Sequence, residues 1–77
     1  MIGGIILNGI GEKIKAIRLD NKLRQIDFAE MICISQSHLS NIESGQDYPS
    51  KAVIRLIALQ FGIDENYLKG DFNGFNG

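Results

Sequence analysis

Residues 23–45 read LRQIDFAEMICISQSHLSNIESG, and the half from Ser35 to Gly45 carries two aliphatic side chains, one acid and no Lys or Arg. At about 100° per residue, Leu39 and Ile42 point to one side of a helix, while Gln36, Ser37, Ser40, Asn41 and Ser44 fall within an arc of about 140° on the other. That outward arc is wholly uncharged. A solvated helix face ordinarily carries Lys and Glu, which are better helix formers than Ser and Asn, so this composition gives up propensity in exchange for small hydrogen-bonding groups. Gln and Asn present a donor and an acceptor together, the combination that matches adenine N6 and N7 in a DNA major groove, and Ser can contact a base or a phosphate. By itself the segment fits either a groove-reading helix or a merely polar surface helix, and the second is the commoner case.

Local signals outward from this stretch are helical. Ser35 is a suitable N-cap for a helix over about residues 36–44, and Gly45 is a suitable left-handed C-terminal residue. Upstream, Phe28, Ala29 and Ile32 mark the inner face of a short helix from about Gln25 to Met31 or Ile32. Before it, Ile10, Ile14 and Ile17 repeat at i, i+4, i+7, predicting a helix over about residues 9–20 with Asn8 as a possible N-cap and Asp20-Asn21-Lys22 as its stop. Downstream, Asp47-Tyr48-Pro49-Ser50 makes a turn whose Ser50 can cap a fourth helix, about residues 51–61, closed by Gly62. Asp64 caps a last short helix through about Leu68. The pattern predicts one all-α domain of five helices over residues 9–69. It is preceded by an apolar arm at residues 1–8 and followed by a flexible tail, GDFNGFNG, at residues 70–77.

Seventy-seven residues, 44% hydrophobic and 22% charged, suit a single globular domain with a thin core and leave no room for a second lobe. Cys33 is the only cysteine, which excludes an internal disulfide and a cysteine metal cluster and points to a cytoplasmic protein. The opening MIGGIIL has no basic flank and is too short for a signal core or a membrane span. Net charge is −1. Of the eight bases only Lys69 lies beyond residue 63, against Asp64, Glu65 and Asp71 of the nine acids, which leaves seven bases and six acids in residues 1–63. That balance is no basic patch.

The ordered set in LRQIDFAEMICISQSHLSNIESG, followed by YPS and an apolar helix, resembles the helix-turn-helix of the Cro and phage-repressor, or XRE-like, family. The resemblance runs from Ile10 to about Leu68. Leu23 and Gln25 open the first helix of the unit, Ala29 is the small residue at its crossing with the next, Ile34-Ser35-Gln36 leads into the recognition helix, and Ile42-Glu43-Ser44-Gly45 closes it. The resemblance implies a compact lambda-repressor-like domain that binds double-stranded operator DNA. It implies that Gln36, Ser37, Ser40 and Asn41 face base edges, that Gln25 contacts a phosphate at the start of its helix, and that Ser35 and Ser44 are further phosphate candidates. Arg18 and Glu43 match a structural pair tying the first helix to the end of the recognition helix, a role favoured for Arg18 over a direct phosphate contact.

Three positions depart from the family pattern. Arg24 stands where relatives have a Thr, Ser or Asn cap, so this helix lacks a cap worth about 1 kcal/mol, and Arg24 reads equally well as a phosphate clamp or a plain surface side chain. Cys33 stands where a turn glycine is usual, at a cost of roughly 1 kcal/mol if φ stays positive. Gln46-Asp47 replaces the usual bases after Gly45, which argues against strong non-specific DNA affinity.

The expected function is a sequence-specific transcriptional regulator, more a repressor than an activator, since a reading head with no effector domain acts most simply by occluding polymerase. The alternatives are an antitoxin of the same fold or a protein-interaction module, either acting through a protein partner. No enzyme is expected. His38 is a lone histidine suited to packing or DNA contact, no catalytic constellation or metal site is visible, and no cofactor is implied. In the fourth helix Ile54, Ile57, Ala58 and Phe61 fit inward positions, while Leu56 and Leu59 fall where the family carries polar side chains. A monomer would leave both leucines in water, so they are expected to form a homodimer interface, or else to be covered by Ile5-Ile6-Leu7 of the arm.

Overall fold

A computed structural model describes residues 9–70. Within them the chain forms five helices: α1 (Ile10–Asp20), α2 (Gln25–Met31), α3 (Gln36–Ser44), α4 (Lys51–Phe61) and α5 (Glu65–Lys69). Among the described residues there is no strand. The apolar arm, with Asn8, and the tail beyond Gly70 lie outside them.

Each boundary has a local cause. The N-cap of α1 is Gly9, whose extended backbone leads into the helix with no side-chain bond. Ser35 Oγ accepts from the His38 N–H at 3.1 Å, and Ser50 Oγ accepts from the Val53 N–H at 3.2 Å. Asp64 Oδ1 accepts from the Asn66 N–H at 2.9 Å. These bonds satisfy amides that a helix start leaves without intrahelical partners. Arg24, at the N-cap of α2, makes no such bond, as its side-chain type requires.

Two helices end in left-handed residues that are not glycine. Lys22 (φ 58°) follows α1 and Cys33 (φ 63°) follows α2. After α2 the Cys33 N–H donates to the Glu30 carbonyl at 3.2 Å and the Ile34 N–H to the Ala29 carbonyl at 3.0 Å. This is the paired closure of a Schellman turn, with Ile34 packing back on the core. The backbone at Cys33 keeps the positive φ on which the cost of a side chain there depends, and this turn joins α2 to α3.

Ile14, Phe28, Ile32, Leu39, Ile42 and Ile57 are fully buried and bring all of α1 to α4 into one core. Phe28 and Phe61 stack with ring centroids 5.0 Å apart, fastening α4 to α2. On the opposite side Lys13 Nζ donates to the Tyr67 carbonyl at 2.8 Å and lies 4.7 Å from the Tyr67 ring centroid, joining α1 to α5. Helix α1 approaches α3 so closely that a Cβ added at Gly11 would collide with the Ile42 carbonyl oxygen. Glycine is needed there for space.

The apolar girdle of α4 divides unevenly. Val53, Ile54 and Ile57 are buried, and Ala58 and Phe61 are half-buried. Leu56, expected at a homodimer interface or under the arm because a monomer would leave it in water, is half-buried against the core of its own chain. The buried stripe of α4 thus takes in Val53 and part of Leu56. Leu59 remains 73% exposed within the described residues.

Candidate nucleic-acid interface

The site is built from the core outward, starting with a buried ion pair. Arg18 and Glu43 are 9% and 7% exposed. Arg18 Nε donates to Glu43 Oε2 at 2.7 Å and Nη2 to Glu43 Oε1 at 3.0 Å, the two-pronged geometry of a strong charge-assisted pair. The remaining arm of the guanidinium, Nη1, donates to the Leu23 carbonyl at 3.0 Å. One side chain of α1 thereby fixes both the end of α3 and the loop before α2.

Gln25 continues the chain of bonds. Its Nε2 donates to Glu43 Oε1 at 3.1 Å, and its Oε1 accepts from Gln36 Nε2 at 3.3 Å. An unbroken path of hydrogen bonds therefore runs from Arg18 in the core to Gln36 at the start of α3. Among the described residues no buried side-chain nitrogen or oxygen lacks a partner.

Gln25, Ser35, Gln36, Ser37, Ser40 and Asn41 line a shallow groove of about 500 Å3. All six are uncharged. The four side chains expected to face bases share this groove with two of the four expected to face phosphate. Arg24 and Ser44 are not among its lining. Ser44 Oγ donates back to the Asn41 carbonyl at 3.2 Å. Arg24 Nε donates to Asp27 Oδ2 at 2.7 Å and Nη2 to Asp27 Oδ1 at 3.1 Å, with side-chain exposures of 77% and 39%. The hydrogen bond from Arg24, with its charge, holds the Asp27 carboxyl below the usual carboxylate range, and the bond to Asp27 raises Arg24 above its ordinary value. Sequence reasoning passed over Asp27, although its i+3 spacing from Arg24 on a helix was a usable signal. The bond between Gln25 and Glu43 had no such signal, because the two stand on different helices.

His38 is half-buried beside this surface. No group of three His, Cys, Asp or Glu side chains that could hold a metal ion occurs among the described residues. Nor is any helix there long and apolar enough to cross a membrane.

A family model described as helix-turn-helix matches residues 14–68. The chain is 36% identical over 62 residues to the immunity repressor protein of Bacillus phage phi105, covering 80% of this chain and 43% of that protein. It is 35% identical over 54 residues to the antitoxin PezA of Streptococcus pneumoniae, covering 70% of this chain and 34% of that protein. It thus spans less than half the length of either relative. Its fold is similar to that of the P22 c2 repressor protein, solved in complex with a synthetic operator, with a TM-score of 0.75 and 24% identity over 80% of this chain and 94% of the other. The described helices thus have a lambda-repressor-like arrangement. With more than half of its residues matched, the chain belongs to the helix-turn-helix family.

Proposed function

We propose that this chain is a sequence-specific DNA-binding repressor of transcription that reads operator DNA through α3 in the major groove. The observation that carries the reading is the groove itself. Six neutral side chains, five from α2 and α3 and one from the α3 N-cap Ser35, line one concave surface at a site where an ordinary surface helix would carry charge. The similarity to a phage immunity repressor, and the fold shared with a repressor bound to its operator, support it. Gln36, Ser37, Ser40 and Asn41 contact base edges. Gln25, Arg24, Ser35 and Ser44 contact phosphates and hold the register. The protein acts in the cytoplasm and performs no catalytic step.

Two copies bind together. A two-fold dimer places two α3 helices about one DNA turn apart, roughly 34 to 36 Å, and Leu59 supplies exposed apolar surface for the contact, with the outer side of Leu56 at its margin. The similarity to an antitoxin favours a second reading, in which a surface of the same fold holds a partner protein. Selection of bound sequences from random duplex DNA tests the first reading. Enrichment of a two-fold symmetric site is the expected result, and recovery of no common sequence would sink it. Copurification of a stoichiometric second protein from the native host would favour the second reading.

A further inference from the structure

The Arg18–Glu43–Gln25–Gln36 path has a direction imposed by the chemistry of its inner end. A carboxylate only accepts hydrogen bonds, so the end of the Gln25 amide that faces Glu43 must be its NH2 group. The Gln25 carbonyl oxygen then points toward the groove and requires a donor, which Gln36 supplies through Nε2. What Gln36 has left is its Oε1 and the second N–H of Nε2, an acceptor and a donor side by side. We infer that Glu43, buried behind the groove, is a positioning residue that sets the polarity of the Gln36 amide through Gln25 and thereby selects adenine over guanine at the base pair Gln36 meets.

The choice between these bases follows from their edges. Adenine offers N6–H and N7, one donor and one acceptor, and matches the fixed amide. Guanine offers O6 and N7, two acceptors, so one of them would face Gln36 Oε1 without a hydrogen. An amide free to turn could present its NH2 group to guanine instead. Arg18 contributes by holding the Glu43 carboxylate with two bonds, which prevents Glu43 from following Gln25 outward. A buried pair at the back of α3 therefore fixes a specificity that the exposed residues alone would leave loose.

This inference rests on the DNA-binding reading, and its test separates the two. Binding of the full chain is measured on a selected operator and on the same duplex with adenine replaced by guanine, at the base pair whose discrimination Gln36→Ala abolishes. The wild type is expected to prefer adenine by about tenfold. Gln25→Leu, and the paired replacement Arg18→Met/Glu43→Leu that removes both buried charges together, are expected to lower the preference to about twofold or less while remaining folded by thermal melting. Adding Gln36→Ala to Gln25→Leu should lower it no further. A tenfold preference retained in either folded variant overturns the inference. If no duplex is bound selectively, the repressor reading fails, and side-chain amide NMR of the DNA-free protein still decides the relay. The Gln25 and Gln36 NH2 protons are expected to move to free-amide positions in Arg18→Met/Glu43→Leu, and unmoved resonances overturn it.

Discussion

The Arg18 guanidinium holds the Glu43 carboxylate through bonds of 2.7 and 3.0 Å, with both side chains almost removed from water. Such a pair is costly to break on one side only, because the surviving charge is left buried without compensation. Arg18→Met alone is expected to destabilise the fold by about 3 to 5 kcal/mol in urea unfolding, while Arg18→Met/Glu43→Leu is expected within about 1 kcal/mol of wild type or above it. Equal losses in both variants would mean that the pair contributes through packing and not through charge balance.

At Cys33 a side chain occupies a left-handed backbone position that glycine adopts without strain. Cys33→Gly is expected to stabilise the protein by up to roughly 1 kcal/mol, read from the denaturant midpoint. A clear destabilisation would show that the thiol contributes packing the left-handed turn depends on.

Asp27 holds Arg24, one of the side chains proposed to contact phosphate, through two hydrogen bonds. Its carboxyl is held below its ordinary range by the bond from Arg24, so the stabilisation it gives is present above the unfolded carboxylate pKa and is lost as pH falls through the lower folded value. At neutral pH the tie is therefore intact. Asp27→Asn is expected to free Arg24 for a phosphate, raising affinity on all sequences and steepening the dependence of log K on log salt by about 0.9. The variant should also lose this part of the acid dependence of stability. An unchanged salt slope would place Arg24 away from the DNA backbone.

Leu59 is the most exposed large aliphatic side chain of α4. Leu59→Lys is expected to shift the full chain from dimer to monomer in light scattering at micromolar concentration and to weaken binding to a two-site operator far more than to a half-site. A wild-type chain that is monomeric at high micromolar concentration, with Leu59→Lys binding the operator normally, would remove α4 from the interface.

What could be read from the chain in advance was what neighbouring residues decide among themselves. Ser35, Ser50 and Asp64 cap helices because each accepts from an amide two or three residues on, and Gly45 and Gly62 close helices by their own backbone freedom. The positive φ at Cys33 was legible only through resemblance to a known turn. Features that depend on how helices meet were not legible. Gly11 is a spacer because the Ile42 carbonyl of another helix lies against it. Gln25 is expected from the resemblance at a phosphate, and its bond to Glu43 exists only because α2 and α3 meet. The half-burial of Leu56 against its own core was not legible for a related reason: α4 is apolar nearly all round, so its period could not say which stripe the core would take.

If α3 reads bases while flanking groups hold phosphates, the two sets separate in the binding of wild type, Gln36→Ala and Asn41→Ala to a selected operator and to random duplex across a salt series. Each substitution is expected to weaken operator binding by about 1 to 3 kcal/mol and to leave random-duplex binding and the salt slope nearly unchanged, whereas Gln25→Ala should weaken both. Equal losses on operator and random duplex for Gln36→Ala and Asn41→Ala, or no preference of the wild type for any sequence, would show that α3 does not read bases.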